Sequence, residues 1–135
     1  MKSRDTLVRL KRFQADEKRR RVAQINSMIS EFTRMANDLE REISNEEHRA
    51  NITDPSHFAY PTYARAARSR RENIVASLDE LRDKLADAQA QFEEANEELL
   101  KAQSQEARDR GAERMIDVVA ERHQGEAPQA LRRSV

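Results

Sequence analysis

The apolar residues of this chain fall into two long stripes separated by one short interruption. In the first stripe Ala15, Val22, Ile25, Ile29, Phe32, Ala36, Leu39, Ile43 and Ala50 follow alternating steps of three and four, with polar gaps at Lys18 and Glu46. In the second, Ala67, Ile74, Leu78, Leu81, Leu85, Ala88, Phe92, Ala95, Leu99 and Ala102 repeat the pattern with a gap at Arg71. Such spacing keeps one narrow face turned toward a partner helix, and over about five heptads it predicts coiled-coil helices. Between the stripes, residues 51–63 hold two of the three prolines and three of the six aromatics. Pro55 after Asp54 suits a short helical turn, Pro61 holds Tyr60 extended, and Thr62 is placed to cap the second helix. The expected fold class is all-α: a two-helix antiparallel coiled-coil hairpin with a structured aromatic connector and a frayed C-terminal tail. Arm one covers about 4–50, the connector 51–63 and arm two about 63–123, so that 1–123 form the hairpin. Gly125 and Pro128 among polar residues place a disordered tail over 124–135.

If the two stripes face each other antiparallel, paired residue numbers share one sum. A sum of 117 pairs Val22 with Ala95, Ile25 with Phe92, Ile29 with Ala88, Phe32 with Leu85, Ala36 with Leu81, Leu39 with Leu78 and Ile43 with Ile74. It also sets Glu46 opposite Arg71, two of the three polar gaps, in one layer where they neutralise each other and fix register. Further out, Arg19 and Arg20 come opposite Glu98 and Glu97. Residues 1–25 carry nine bases and three acids, whereas residues 79–98 carry eight acids and two bases. The two halves complement each other only if the chain doubles back. Each exposed pair is worth at most about 1 kcal/mol, so these charges orient the arms rather than hold them.

Composition narrows the function classes. Twenty-five bases balance 25 acids, which argues against a surface held on nucleic acid or lipid by bulk charge. Leu, Ile, Val and Phe make up just under a fifth of the chain, too little for a thick core. No cysteine is present, so there is neither a disulfide framework nor a thiolate nucleophile. No apolar run exceeds three residues and the first 13 residues lack a secretory pattern, which predicts a soluble, cytoplasmic protein.

At the end away from the connector the stripes stop matching. Leu7, Val8, Leu10 and Phe13 come opposite Glu106, Ala107, Asp109 and Arg110. Gly111 is expected to interrupt arm two, after which Met115, Ile116, Val118 and Val119 form another apolar group. Two readings stand. The ends curl onto each other or fray, or a partner covers them, since apolar patches rimmed by charge mark interaction sites. The partner-binding candidates are Leu7, Leu10, Phe13, Arg19, Arg20, Arg21, Met115, Ile116 and Val119.

The remaining candidate chemistry is thin. The basic run from Lys18 to Arg21 and the cluster Arg65, Arg68, Arg70 and Arg71 have acidic neighbours and no interleaved aromatics to stack bases, so no nucleic-acid partner is expected. His48, Asp54 and His57 with Glu46 and Glu47 match no ligand spacing, and no metal, catalytic residue or cofactor is expected. Phe58 and Tyr63 are expected to fold over Ile52 and the Ala64, Ala66, Ala67 surface as a plug, with a recognition tip as the alternative.

Three strings carry a resemblance: Met1-Lys2-Ser3-Arg4-Asp5-Thr6-Leu7-Val8-Arg9-Leu10-Lys11-Arg12-Phe13 followed by Asp16-Glu17-Lys18-Arg19-Arg20; the connector from His57 to Ala64; and Arg70-Arg71-Glu72-Asn73. Over about residues 1–105 the chain resembles the alphaproteobacterial branch of the FliJ family of flagellar type III export proteins. The resemblance implies a non-enzymatic, antiparallel two-helix coiled coil similar to the stalk of rotary ATPases. Its chain ends would enter the ring of the flagellar export ATPase, and another surface would engage a membrane export gate component. It also implies a role as chaperone, or as escort for export chaperones, at the cytoplasmic face of the flagellar basal body, with membrane association only through partners. From the residues alone, a general holdase chaperone and a dimeric coiled-coil scaffold remain open.

Overall fold

The computed structural model describes the backbone of residues 2–133 and the side chains of Ser3 and of residues 5–123. Two helices account for nearly all of it: α1, Lys2–Ala50, and α2, Thr62–Arg133. No strand occurs among the described residues, and the fold is an all-α helical hairpin. α2 runs straight through Gly111, which has no left-handed φ, so the expected interruption there is not made. One glycine in a run of good helix formers costs only about 1 kcal/mol, too little to end a helix. The α2 backbone also continues past residue 123 to Arg133. The tail expected over 124–135 otherwise falls on residues whose side chains lie outside those described.

α1 ends for a local reason. Asn51 adopts φ 55°, the left-handed region that asparagine tolerates better than most residues. Its N–H donates to the His48 carbonyl at 3.2 Å, and the Ile52 N–H donates to the Glu47 carbonyl at 3.2 Å. That pair of bonds is a Schellman cap, which satisfies carbonyls the helix would leave open. The connector then makes two tight turns, with the His57 N–H on the Asp54 carbonyl at 3.1 Å and the Tyr60 N–H on the His57 carbonyl at 3.0 Å. The Asp54 carboxylate accepts from both the Ser56 N–H and the Ser56 hydroxyl, fixing the first turn around Pro55. α2 opens with the Arg65 N–H on the Pro61 carbonyl. Thr62 is thus the first helical residue, one position inside the expected cap.

The residues pack as two compact units, Asp16–Glu93 and Met1–Ala15 with Glu94–Val135. Within Asp16–Glu93 the stripes meet as expected. Ile25, 1% exposed, joins Leu81 and Ala88, with Val22, Ile29, Phe32 and Leu85 packed around them. Leu39, Ile43 and Ala67 form a second cluster with Ile74. In the other unit Val8, Ala15 and Ala102 are buried.

The seam residues are those the sequence predicts, and Ile43 and Ile74 share a cluster as expected, but the polar pairs across the seam differ. In Asp16–Glu93, Lys18 Nζ donates to Gln91 at 2.8 Å, Arg71 meets Glu40 at 3.7 Å and Arg68 meets Glu47 at 3.2 Å. These pair sums are 109, 111 and 115. In the other unit, Lys11 with Glu98 at 2.9 Å gives 109, and Asp5 with Arg110 at 3.3 Å gives 115. With the Tyr63 hydroxyl on Glu42, which gives 105, the polar pairs scatter from 105 to 115 and all fall below 117. A heptad stripe matches its partner at more than one offset, and apolar spacing alone does not choose among them. The expected Glu46 to Arg71 pair is not made. Glu46 bonds Arg49 at 3.2 Å, Arg19 bonds Asp16 at 2.8 Å, and Glu98 holds Lys11.

Candidate interaction surfaces

In the unit holding the chain ends, the inward stripe of α1 is Val8 and Ala15, seven residues apart and both buried. Val8 is therefore covered, contrary to the expectation that nothing opposes it; Gln103, Glu106 and Ala107 share a surface groove with it. Leu7, Leu10 and Phe13 recur at steps of three, covering about 120° of a different face at 3.6 residues per turn. All three are about half exposed, Phe13 at 55%. On α2 the stripe continues from Ala102 through half-buried Glu106, Asp109 and Glu113, so it turns acidic. Met115 at 67%, Ile116, Val118 and Val119 are exposed instead. The end-on-end curling reading is not realised for these side chains.

The polar groups of this unit are tied across it. Arg110 bridges Asp5 and Glu106, at 3.3 and 2.5 Å. A hydrogen bond with the Glu106 side chain and the nearby Arg110 charge hold the Asp5 carboxyl below its ordinary range. Lys11 does the same to Glu98 through its hydrogen bond and charge.

Arg19, Arg20 and Arg21 lie in the other unit and are exposed. Arg20 and Arg21 line a surface groove with Glu17, Lys18, Gln24, Ala88 and Gln91. Arg19 is turned to Asp16 on its own helix.

The connector inverts its expected arrangement. Phe58 is 94% exposed and Tyr63 more than half exposed, so neither plugs the hairpin. Tyr60 does, at 4% exposure. Its hydroxyl accepts from Arg68 Nε at 2.8 Å and donates to Glu47 Oε2 at 3.0 Å, while Arg68 also reaches Glu47 at 3.2 Å. These bonds close a triangle between α1, the connector and α2. The Tyr60 hydrogen bond first, and Glu47 next, push the Arg68 guanidinium further up from its ordinary value. Arg65 and Arg68 also lie over the Tyr60 ring, at 5.5 and 5.9 Å. Tyr63 donates its hydroxyl to Glu42 at 2.9 Å, which raises its pKa, and Ser56 holds the Asp54 carboxyl low. His57 stacks on Phe58 with ring centres 4.8 Å apart, and its Nδ1 accepts the Ala59 N–H. The Glu47, Tyr60 and Arg68 triangle is not visible in the sequence, because its members follow neither helical spacing nor a motif. The only hint is that Tyr60 precedes a proline, which restricts its backbone and aims its ring.

Among the described residues no group of three or more His, Asp or Glu is arranged to hold a metal ion, and no helix is long and apolar enough to cross a membrane. No polar or charged residue among them is buried as a whole. Comparison with known protein families, with characterised proteins and with solved structures returns no match.

Proposed function

We propose that this chain is a non-enzymatic coupling protein of flagellar export, whose two chain ends dock onto a partner ATPase ring. The observation that carries this reading is one unit in which Leu7, Leu10 and Phe13 on α1 and Met115, Ile116 and Val119 on α2 are exposed together with their basic neighbours. Exposed apolar side chains on both helices of one unit are surplus to the hairpin's own packing, and a partner surface gives them somewhere to be buried. Arg9 and Arg12 lie among the α1 residues and supply charge for an acidic rim on that partner. The resemblance of the amino-terminal string and the connector to the FliJ family selects the flagellar export ATPase as that partner, and a gate component and export chaperones as further ones. The protein would then work without nucleotide of its own, at the cytoplasmic face of the basal body.

The test is stimulation of the flagellar export ATPase from the same source by the purified chain. Stimulation should fall at least tenfold in Leu10→Asp with Phe13→Asp, with helix content unchanged. Suppression of aggregation of unrelated clients, with no effect on the ATPase, would replace this reading with the holdase.

A further inference from the structure

Within Asp16–Glu93 the two long sides of the hairpin differ in charge and in chemistry. One edge of α1 carries Arg21, Met28, Met35 and Glu42, each just before a seam residue and seven apart. The corresponding edge of α2 carries Tyr63, Arg70, Lys84 and Gln91, on the same seven-residue row. These edges share one side of the unit. The Tyr63 hydroxyl bonds Glu42 at one place, and Arg21, Lys84 and Gln91 line one groove over Ile25 and Ala88 at another. Along the other side Arg68 pairs with Glu47, Arg71 with Glu40 and Arg82 with Asp79, so the cations there are neutralised. None of the ion pairs among the described residues uses Arg21, Arg70 or Lys84, and all three are exposed. A single acid, Asp87, lines the groove against two bases, and Glu42 is already taken by Tyr63. Met28 and Met35, 42% and 37% exposed, stand where a two-helix coiled coil usually carries charge. Their side chains are surplus to the hairpin's own packing, and methionine adapts readily to an apolar partner.

We propose that this side of Asp16–Glu93 is a second interaction surface, on which an acidic amphipathic helix of a partner protein lies alongside the hairpin as a third helix. Its apolar residues, repeating at the same seven-residue step, cover Met28, Met35 and the Ala88 floor, and its carboxylates meet Arg21, Lys84 and Arg70. Arg21 to Met35 spans about 21 Å at 1.5 Å per residue, the length of about four helical turns on the partner. A small anion would use the cations and leave both methionines in water, so the pairing of bases with an apolar row selects a helix. The surface lies in a different unit from Leu7, Leu10, Phe13 and Met115, and the inference does not depend on the export reading.

The chain has four methionines, so methyl-labelled methionine reports the surface directly by NMR, with Met28 and Met35 on it and Met115 in the other unit as a control. The probe is a synthetic helical peptide of about 21 residues, with leucine along one heptad stripe, glutamate beside it and alanine elsewhere. It should shift the Met28 and Met35 signals and leave that of Met115 in place. Arg21→Glu and Lys84→Glu should each weaken binding about tenfold, whereas Arg82→Glu, an equal charge change on the other side, should weaken it by less than about threefold. All three positions are exposed, and circular dichroism checks that each variant keeps its helix content. The proposal is overturned if Met28 and Met35 stay in place up to about 1 mM peptide. It is overturned equally if the three variants lose the same affinity, which would mean bulk charge alone. Oligothymidylate that moves the same signals at lower concentration than the peptide would replace the helix with nucleic acid.

Discussion

Ile25, Tyr60 and Gly111 show how differently single residues contribute. Ile25 is almost wholly enclosed by the opposing helix, and Ile25→Ala should lower the unfolding free energy by about 3 kcal/mol in urea titration. Tyr60 combines a buried ring with a hydroxyl that is donor and acceptor at once. Tyr60→Phe removes only the hydroxyl bonds and should cost about 1 kcal/mol in the same titration, less than half the Ile25 effect. Gly111 works in the opposite direction. A methyl group there meets nothing within 4 Å, and the backbone is already helical, so Gly111→Ala should stabilise the chain by about 1 kcal/mol. An equal or lower midpoint for that variant would mean that the helix is not continuous through residue 111 in solution.

Among the elements, the helices were legible and the way they meet was not. The three-and-four spacing from Ala15 to Ala50 and from Ala67 to Ala102 names the buried face almost residue by residue, because a helix that must bury a stripe has to repeat it. The end of arm one at about 50 and the start of α2 just after Pro61 were equally visible, since breakers act through the local backbone. The register was hidden, because the stripe repeats and therefore pairs with itself at several offsets. The connector's packing was hidden for a related reason. Phe58, Tyr60 and Tyr63 are all aromatic and within six residues, and only the two turns built on Asp54 and His57 decide that Tyr60 faces in. Charge acts at this scale too. Asp5 and Glu98 have folded pKa values below their unfolded ones, so they stabilise the fold above about pH 5, and this contribution is lost as pH falls through the carboxylate range near 4. The thermal midpoint should hold level from pH 7 to 5 and fall below 4, with a smaller fall at 0.5 M salt. A midpoint that rises on acidification would contradict these pairs.

For the molecule as a whole, the central claim is that one chain doubles back and buries its own two stripes, leaving the exposed residues of its ends for a partner. The exposure of Leu7, Leu10, Phe13, Met115, Ile116 and Val119 was legible because the stripe stops while apolar residues continue; that Val8 turns inward was not, since it depends on how the helices meet. The alternative, two chains paired through open helices, would bury the same residues with the same helix content. Spin labels at Asn26→Cys and Asp87→Cys, measured with a tenfold excess of unlabelled chain, separate the two most directly. The hairpin predicts one short distance, about 2 nm or less, unchanged by dilution, because these positions lie nearly level across the arms. A short distance that vanishes on dilution, or a long one throughout, would contradict it.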